Sequence, residues 1–124
     1  MNVLGTQILL ELKQCDQELL NDLAYVRQTL IQVARAVNAT VIGESFHKFQ
    51  PQGVTGILAV AESHICIHTW PEYRYAAVDV FTCGDSAEAW KATELLVQHF
   101  HALDHSTLEL KRGPVSQPIV TARA

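Results

Sequence analysis

Cysteine, uninterrupted apolar sequence and charge of one sign are all scarce in this 124-residue chain. Its three cysteines, Cys15, Cys66 and Cys83, are odd in number and far apart. That argues against a disulfide framework, and no C-x-x-C pair suggests structural zinc. Cys15 reads simply as a packed thiol. No apolar run approaches the ~18 residues that span a bilayer. The first ten residues lack the basic start and long apolar core of a signal peptide. A cytoplasmic protein with no membrane partner is therefore expected. The net charge is −4 with no block of like charges, so nucleic acid is not an expected partner either. No internal repeat is visible. What remains is 48% hydrophobic and 18% charged, which suits one globular domain.

The elements follow from period. Val3 to Leu12 alternates as a strand, with Ile8, Leu10 and Leu12 on one face. Asp16 or Asn21 is placed to cap the next helix. Leu23, Val26, Leu30, Val33 and Val37 form its apolar stripe, and Asn38 is its expected stop. Four strand-like segments follow: 40–49, 54–61, 63–70 and 75–82. Gln50-Pro51-Gln52-Gly53 is a turn, and Pro71 ends the third segment. Asp85 or Ser86 can cap a second helix that buries Ala92, Leu95, Leu96, Phe100 and Leu103. A last strand runs from Thr107 to Lys111, with Leu108 and Leu110 inward. Residues 1–112 then make a single domain and 113–124 a tail. Two helices cannot cover both faces of six strands. The expected fold is an α/β two-layer sandwich, a mostly antiparallel sheet with two helices on one face. The other face also carries apolar residues, so a second subunit is expected to cover it.

The chemistry concentrates between Glu62 and Tyr73. His64, Cys66 and His68 alternate and project from one face. Imidazole and thiolate are metal ligands, so a metal- or ligand-binding module is one reading. The plain alternative is a half-buried strand whose histidines hydrogen-bond to neighbours. His99, His101 and His105 read as a solvated helix end. A third reading is self-cleavage: the Ser63 hydroxyl attacks the Glu62 carbonyl carbon, the acyl group moves from nitrogen to oxygen, and β-elimination follows. That needs an oxyanion donor and a base. Alternation puts Ser63 and His68 on opposite faces, so the Glu62–Ser63 bond must lie in a bend.

Glu62-Ser63-His64, Ile67-His68-Thr69-Trp70-Pro71-Glu72-Tyr73 and the block from Tyr75 to Gly84 resemble the prokaryotic S-adenosylmethionine decarboxylases. Leu4-Gly5, Cys15-Asp16, Phe46-His47-Lys48-Phe49, Pro51 and Gly53-Val54 add to the resemblance, which spans roughly residues 3–112. It implies a proenzyme that cuts itself between Glu62 and Ser63, giving chains 1–62 and 63–124. It implies no metal. Ser63 becomes the pyruvoyl cofactor, which forms a Schiff base with S-adenosylmethionine. His68 is the implied processing histidine and Cys83 the proton donor in decarboxylation. Phe49, Trp70 and Glu72 are the implied nucleoside-binding residues. The residue types suit these roles. A thiol is mostly protonated at neutral pH and can donate. Aromatic faces stack on adenine, and a carboxylate accepts from ribose hydroxyls.

There are two departures from the family pattern. Thr55 replaces a serine that supports processing, keeping the hydroxyl but stiffening χ1. Thr6-Gln7 replaces a basic pair. The implied product donates aminopropyl groups in spermidine synthesis. A homodimer of cleaved protomers is expected, with Phe49 or Trp70 coming from the partner. The nearest alternative is the same chemistry on free arginine or ornithine, which needs no stacking aromatics.

Overall fold

The computed structural model describes residues 2–83 and 86–119. Six strands form one sheet: β1 (Asn2–Lys13), β2 (Val41–Lys48), β3 (Val54–Val60), β4 (Ser63–Trp70), β5 (Tyr75–Cys83) and β6 (Asp104–Val115). Their order across the sheet is β2-β3-β4-β5-β1-β6, and every neighbouring pair is antiparallel. Three helices accompany them: α1 (Gln17–Leu20), α2 (Leu23–Ala36) and α3 (Ser86–His99). The fold is the expected sandwich with one short helix added.

Period 2 decides the two faces. Ile8, Leu10 and Leu12 of β1 stand opposite Val80, Val78 and Ala76 of β5. With Leu58, Ile65 and Ile67 they are buried and form the core with Val26, Leu30 and Val33 of α2 and Ala92, Leu96 and Phe100 beneath α3. The helix stripe is therefore the one the sequence predicts, with Leu23 and Leu95 half-buried at its margins. Cys15 is buried in this core, and burial pushes its thiol up to about 11.

The caps differ in detail from expectation. Asp16 caps only α1, accepting from the Glu18 and Leu19 N–H groups. The cap of α2 is Asp22, which accepts from the Tyr25 N–H. Asn21 closes α1 instead, and its Oδ1 accepts from the Gly53 N–H at 3.0 Å. Gly53, at φ +104, turns β2 into β3; the Phe49 N–H donates to its carbonyl at 2.8 Å. Asn38 does stop α2, in the left-handed region at φ 59. Its N–H donates to Arg35 O, and that of Ala39 to Ala34 O, the paired closure that left-handed residues make at helix ends. Of the two caps expected for α3, Asp85 lies outside the described residues, and Ser86 is the first helical residue.

Three expectations fail near the C-terminus. Leu103 is 81% exposed, because α3 ends at His99 and the chain turns at His101, φ 53. Leu108 and Leu110 do not point into the core. They pair with Leu9 and Gln7, on the face away from the helices, and are exposed. The last strand runs to Val115, three residues into the stretch read as a tail.

The helix-free face carries His47, Thr55, Ile57, His64, Cys66, His68, Trp70, Tyr75, Asp79, Phe81, Cys83, Gln7, Leu108 and Arg112 by register. Ile57 and Trp70 are exposed there, as are the two leucines. No helix among the described residues is long and apolar enough to cross a membrane.

Candidate active site

Val60 pairs with Ser63, so Ala61 and Glu62 are the whole connection between β3 and β4. Glu62 sits in the left-handed region at φ 59. A side chain is disfavoured there, which makes this a locally strained turn. The Glu62–Ser63 bond thus lies in the bend that self-cleavage requires. The Cys83 thiol donates to the Glu62 carbonyl oxygen, Sγ···O 2.9 Å. That oxygen is the one that would gain charge on attack by Ser63.

Two cavities flank the turn. One of about 470 Å³ opens on the helix-free face, beside Glu62, Ser63, His64, Phe81, Cys83 and Arg112. Gly5 forms part of its floor; a Cβ there would meet the Phe81 ring at 2.6 Å. His64 stacks on Phe81, centroids 5.7 Å apart. The other cavity, about 170 Å³, lies on the helix side between Thr40, Ser63, Thr82 and Glu88. It has room for several waters. The Thr82 hydroxyl in its wall is buried with no hydrogen-bond partner among the described residues, which a water would satisfy.

The remaining site residues cluster at the far end of β4. Thr55 Oγ1 and His68 Nδ1 are 3.1 Å apart; they are direct cross-strand partners. Trp70 lies 5.5 Å from Tyr75, ring to ring. The Tyr75 hydroxyl donates to Glu11 Oε2 at 2.6 Å. Burial, that hydrogen bond and the carboxylate's charge push the phenol up to about 12. Thr69 points the other way; its hydroxyl donates to Leu20 O and accepts from the Val54 N–H, both 2.8 Å. That bond pins this end of β4 to α1. Phe49 and Glu72 are exposed nearby, after β2 and in the 3-10 turn Pro71–Tyr73.

The site residues therefore fall into two groups. Glu62, Ser63 and Cys83 stand together. Thr55, His68, Trp70, Phe49 and Glu72 stand at the opposite end. His68 lies five positions beyond Ser63 along β4, about 16 Å of extended chain. Within one chain they do not meet.

The metal reading finds no support in the geometry. His64, Cys66 and His68 do share a face, but strand neighbours two apart are about 6.6 Å apart along the chain. No group of three ligating side chains among the described residues could hold a metal ion. Burial, and then the charge of Asp79, push the Cys66 thiol up. Arg112, in the cavity wall, and Tyr75, against Trp70, have no role in the sequence reading. Tyr75 enters there only as the start of a strand and of a resembling block, and an exposed arginine in a presumed last strand carries no signal of its own.

Residues 6–113 match the sequence profile of the family described as S-adenosylmethionine decarboxylase. Among relatives, the S-adenosylmethionine decarboxylase proenzyme of Thermodesulfovibrio yellowstonii is 47% identical, over 94% of this chain and 86% of that one. The proenzyme of Acidithiobacillus ferrooxidans is also 47% identical, over 98% and 92%. The solved adenosylmethionine decarboxylase of Aquifex aeolicus superposes with a TM-score of 0.90 at 32% identity, covering 98% of this chain and all of that one. The chain belongs to the S-adenosylmethionine decarboxylase family.

Proposed function

We propose that the chain is a self-cleaving, pyruvoyl-dependent S-adenosylmethionine decarboxylase whose product feeds aminopropyl transfer to spermidine. The observation that carries this reading is the Cys83 thiol on the Glu62 carbonyl, in a left-handed turn followed by serine. The residues present fit the prosthetic group: a nucleophile, an oxyanion donor and a cavity converge on one peptide bond.

Ser63 Oγ attacks the Glu62 carbonyl carbon, and Cys83 donates to the oxygen as it becomes negative. The C–N bond breaks, leaving an ester to Ser63 Oγ and a free Ser63 nitrogen. A base then takes the Ser63 α-proton. The Cβ–O bond breaks, and its electron pair leaves on oxygen as the Glu62 carboxylate. Water replaces the Ser63 nitrogen, which departs as ammonia; the smaller cavity is its store. When formed, the pyruvoyl group supplies an electrophilic ketone that takes up the electron pair left as carbon dioxide departs. Cys83 then holds the proton for the substrate carbon.

His68 is the base, and it comes from a second subunit. The helix-free faces of two chains pack across a two-fold axis, about 10 Å apart. Running oppositely, they set the Ser63 end of each on the His68 end of the other. This covers Ile57, Leu108 and Leu110. The partner subunit's Thr55 fixes its His68, while the partner's Phe49 and Trp70 stack the adenine and its Glu72 accepts from the ribose. The half-exposed aromatics favour the nucleoside over free arginine or ornithine. The protein acts in the cytoplasm.

A denaturing mass spectrum tests the first half. Fragments of 1–62 and 63–124, the second without an amino group, support the reading; a single chain after long incubation defeats it. Carbon dioxide release from S-adenosylmethionine, but not from arginine or ornithine, supports the substrate; the reverse preference overturns it.

A further inference from the structure

We propose that Arg112 binds a carboxylate at the cleavage site, and that this carboxylate is the new C-terminus of Glu62. The inference rests on the self-cleavage reading above. Arg112 and Cys83 are both register partners of Gly5, one on each side. The three form one row across β6, β1 and β5, with strands about 4.8 Å apart. Gly5 has no side chain, and the Phe81 ring lies over it, 2.6 Å from where a Cβ would stand, so the wall between the guanidinium and the thiol is one apolar ring. The thiol already touches the Glu62 carbonyl, and Arg112 and Glu62 line the same 470 Å³ cavity.

The guanidinium is held in place. Arg112 Nη1 donates to Gln7 Oε1 at 2.5 Å, and Gln7 Nε2 donates to Asp79 Oδ1 at 3.2 Å. Gln7 takes one of five guanidinium N–H donors. The fork that remains matches a carboxylate. Before cleavage the only charge on Glu62 is the side-chain carboxylate that it carries in both forms, and its main chain is a neutral carbonyl. Elimination turns the same carbon into a carboxylate, a full charge in a cavity whose walls include Leu4 and Phe81. Once the second chain of the proposed pair covers that cavity, such a charge needs a partner.

The substrate's own carboxylate is the other source of the same chemistry, and it fits less well. Its charge disappears as carbon dioxide forms, so an ion pair there stabilises the ground state more than the transition state. The Glu62 carboxylate persists through every turnover. Held by Arg112, it leaves Cys83 and the ketone clear.

The test compares Arg112→Gln and Arg112→Lys in two full-length backgrounds, the cleaved enzyme and the uncut Ser63→Ala chain. The readout is thermal unfolding, with mass spectra confirming which form is present. Arg112→Gln is expected to lower the cleaved enzyme's midpoint by about 3–6 °C, the shift of one lost pair in a domain of this size. The uncut chain should move by less than about 1 °C, and Arg112→Lys should recover part of the loss. Equal shifts in both backgrounds would mean a structural role and overturn the proposal. A tenfold rise in KM without a shift specific to the cleaved form would assign Arg112 to the substrate carboxylate and overturn it too. A wild-type chain that stays whole removes the self-cleavage reading, and this inference with it, before any variant is made.

Discussion

At one end of β4 the reacting group is the backbone, and at the other end it is an array of side chains. The Ser63 end consists of a strained turn, a carbonyl and a thiol 2.9 Å from it. The Trp70 end consists of a histidine held by a hydroxyl and an indole resting on a phenol. In the proposed mechanism the first supplies the bond to be broken, its neighbouring imidazole, His64, being stacked on Phe81. The second supplies the base and the stacking surface. On the proposed mechanism each end is half of a site, and the sheet keeps them about 16 Å apart. The proposed two-fold pair would join them.

The largest effect comes from removing the electrophile. Ser63→Ala is expected to give an uncut chain and no carbon dioxide release, read by mass spectrum and by release assay. A cut chain would remove the Ser63 end from the comparison. The sharper experiment joins the ends in trans. His68→Ala alone is expected to stay uncut, as Ser63→Ala does. Co-expressed, the His68→Ala chain should be cut, because its partner still carries His68. If neither chain is cut in a mixed dimer, the two ends do not serve each other and the two-fold arrangement is wrong.

Cys83→Ala probes the Ser63 end at lower cost. Losing one oxyanion donor slows such steps by roughly 10²–10³. Cleavage should therefore slow by that order yet still finish. The surviving enzyme should decarboxylate slowly and inactivate quickly, for want of the proton donor. A time course of fragment appearance checks the first expectation. Cleavage at the wild-type rate would reduce the contact with the Glu62 carbonyl to packing.

Much of this was legible in the sequence, and what was hidden has physical reasons. The stripe Leu23, Val26, Leu30, Val33 and Val37 could be read because helical period and burial coincide there. The bend at Glu62–Ser63 was expected from the self-cleavage reading taken with alternation, since Ser63 and His68 point opposite ways; the bend is there, but it does not bring the two together within one chain. Leu108 and Leu110 were misread because alternation separates two faces without saying which one the helices cover. Asp22 was passed over for Asn21 because adjacent capping residues look alike, and only the Gly53 turn shows what Asn21 holds. Arg112 stayed invisible because its meaning depends on lying in one row with Gly5 and Cys83, which no local pattern encodes.

The smallest expected effect tests the support beneath the Trp70 end. Tyr75 carries the indole on one side and is tethered to Glu11 on β1 by its hydroxyl. Tyr75→Phe keeps the ring and removes the tether, so Trp70 keeps its neighbour but loses part of its orientation. KM for S-adenosylmethionine should rise a few-fold, by about 1 kcal/mol or less, with kcat little changed, because the covalent end is untouched. The variant also carries a pH signature. The folded phenol is pushed up to about 12 from an ordinary value near 10. Between those values the folded chain keeps a proton that the unfolded chain has lost. Wild-type stability should therefore fall as pH rises from 10 towards 12, and level off beyond. Tyr75→Phe should flatten that part of the profile in denaturant titrations. An unchanged slope together with an unchanged KM would show that Trp70 is oriented by the partner's surface rather than by Tyr75, which would make the recognition end as dependent on the second copy as the covalent end.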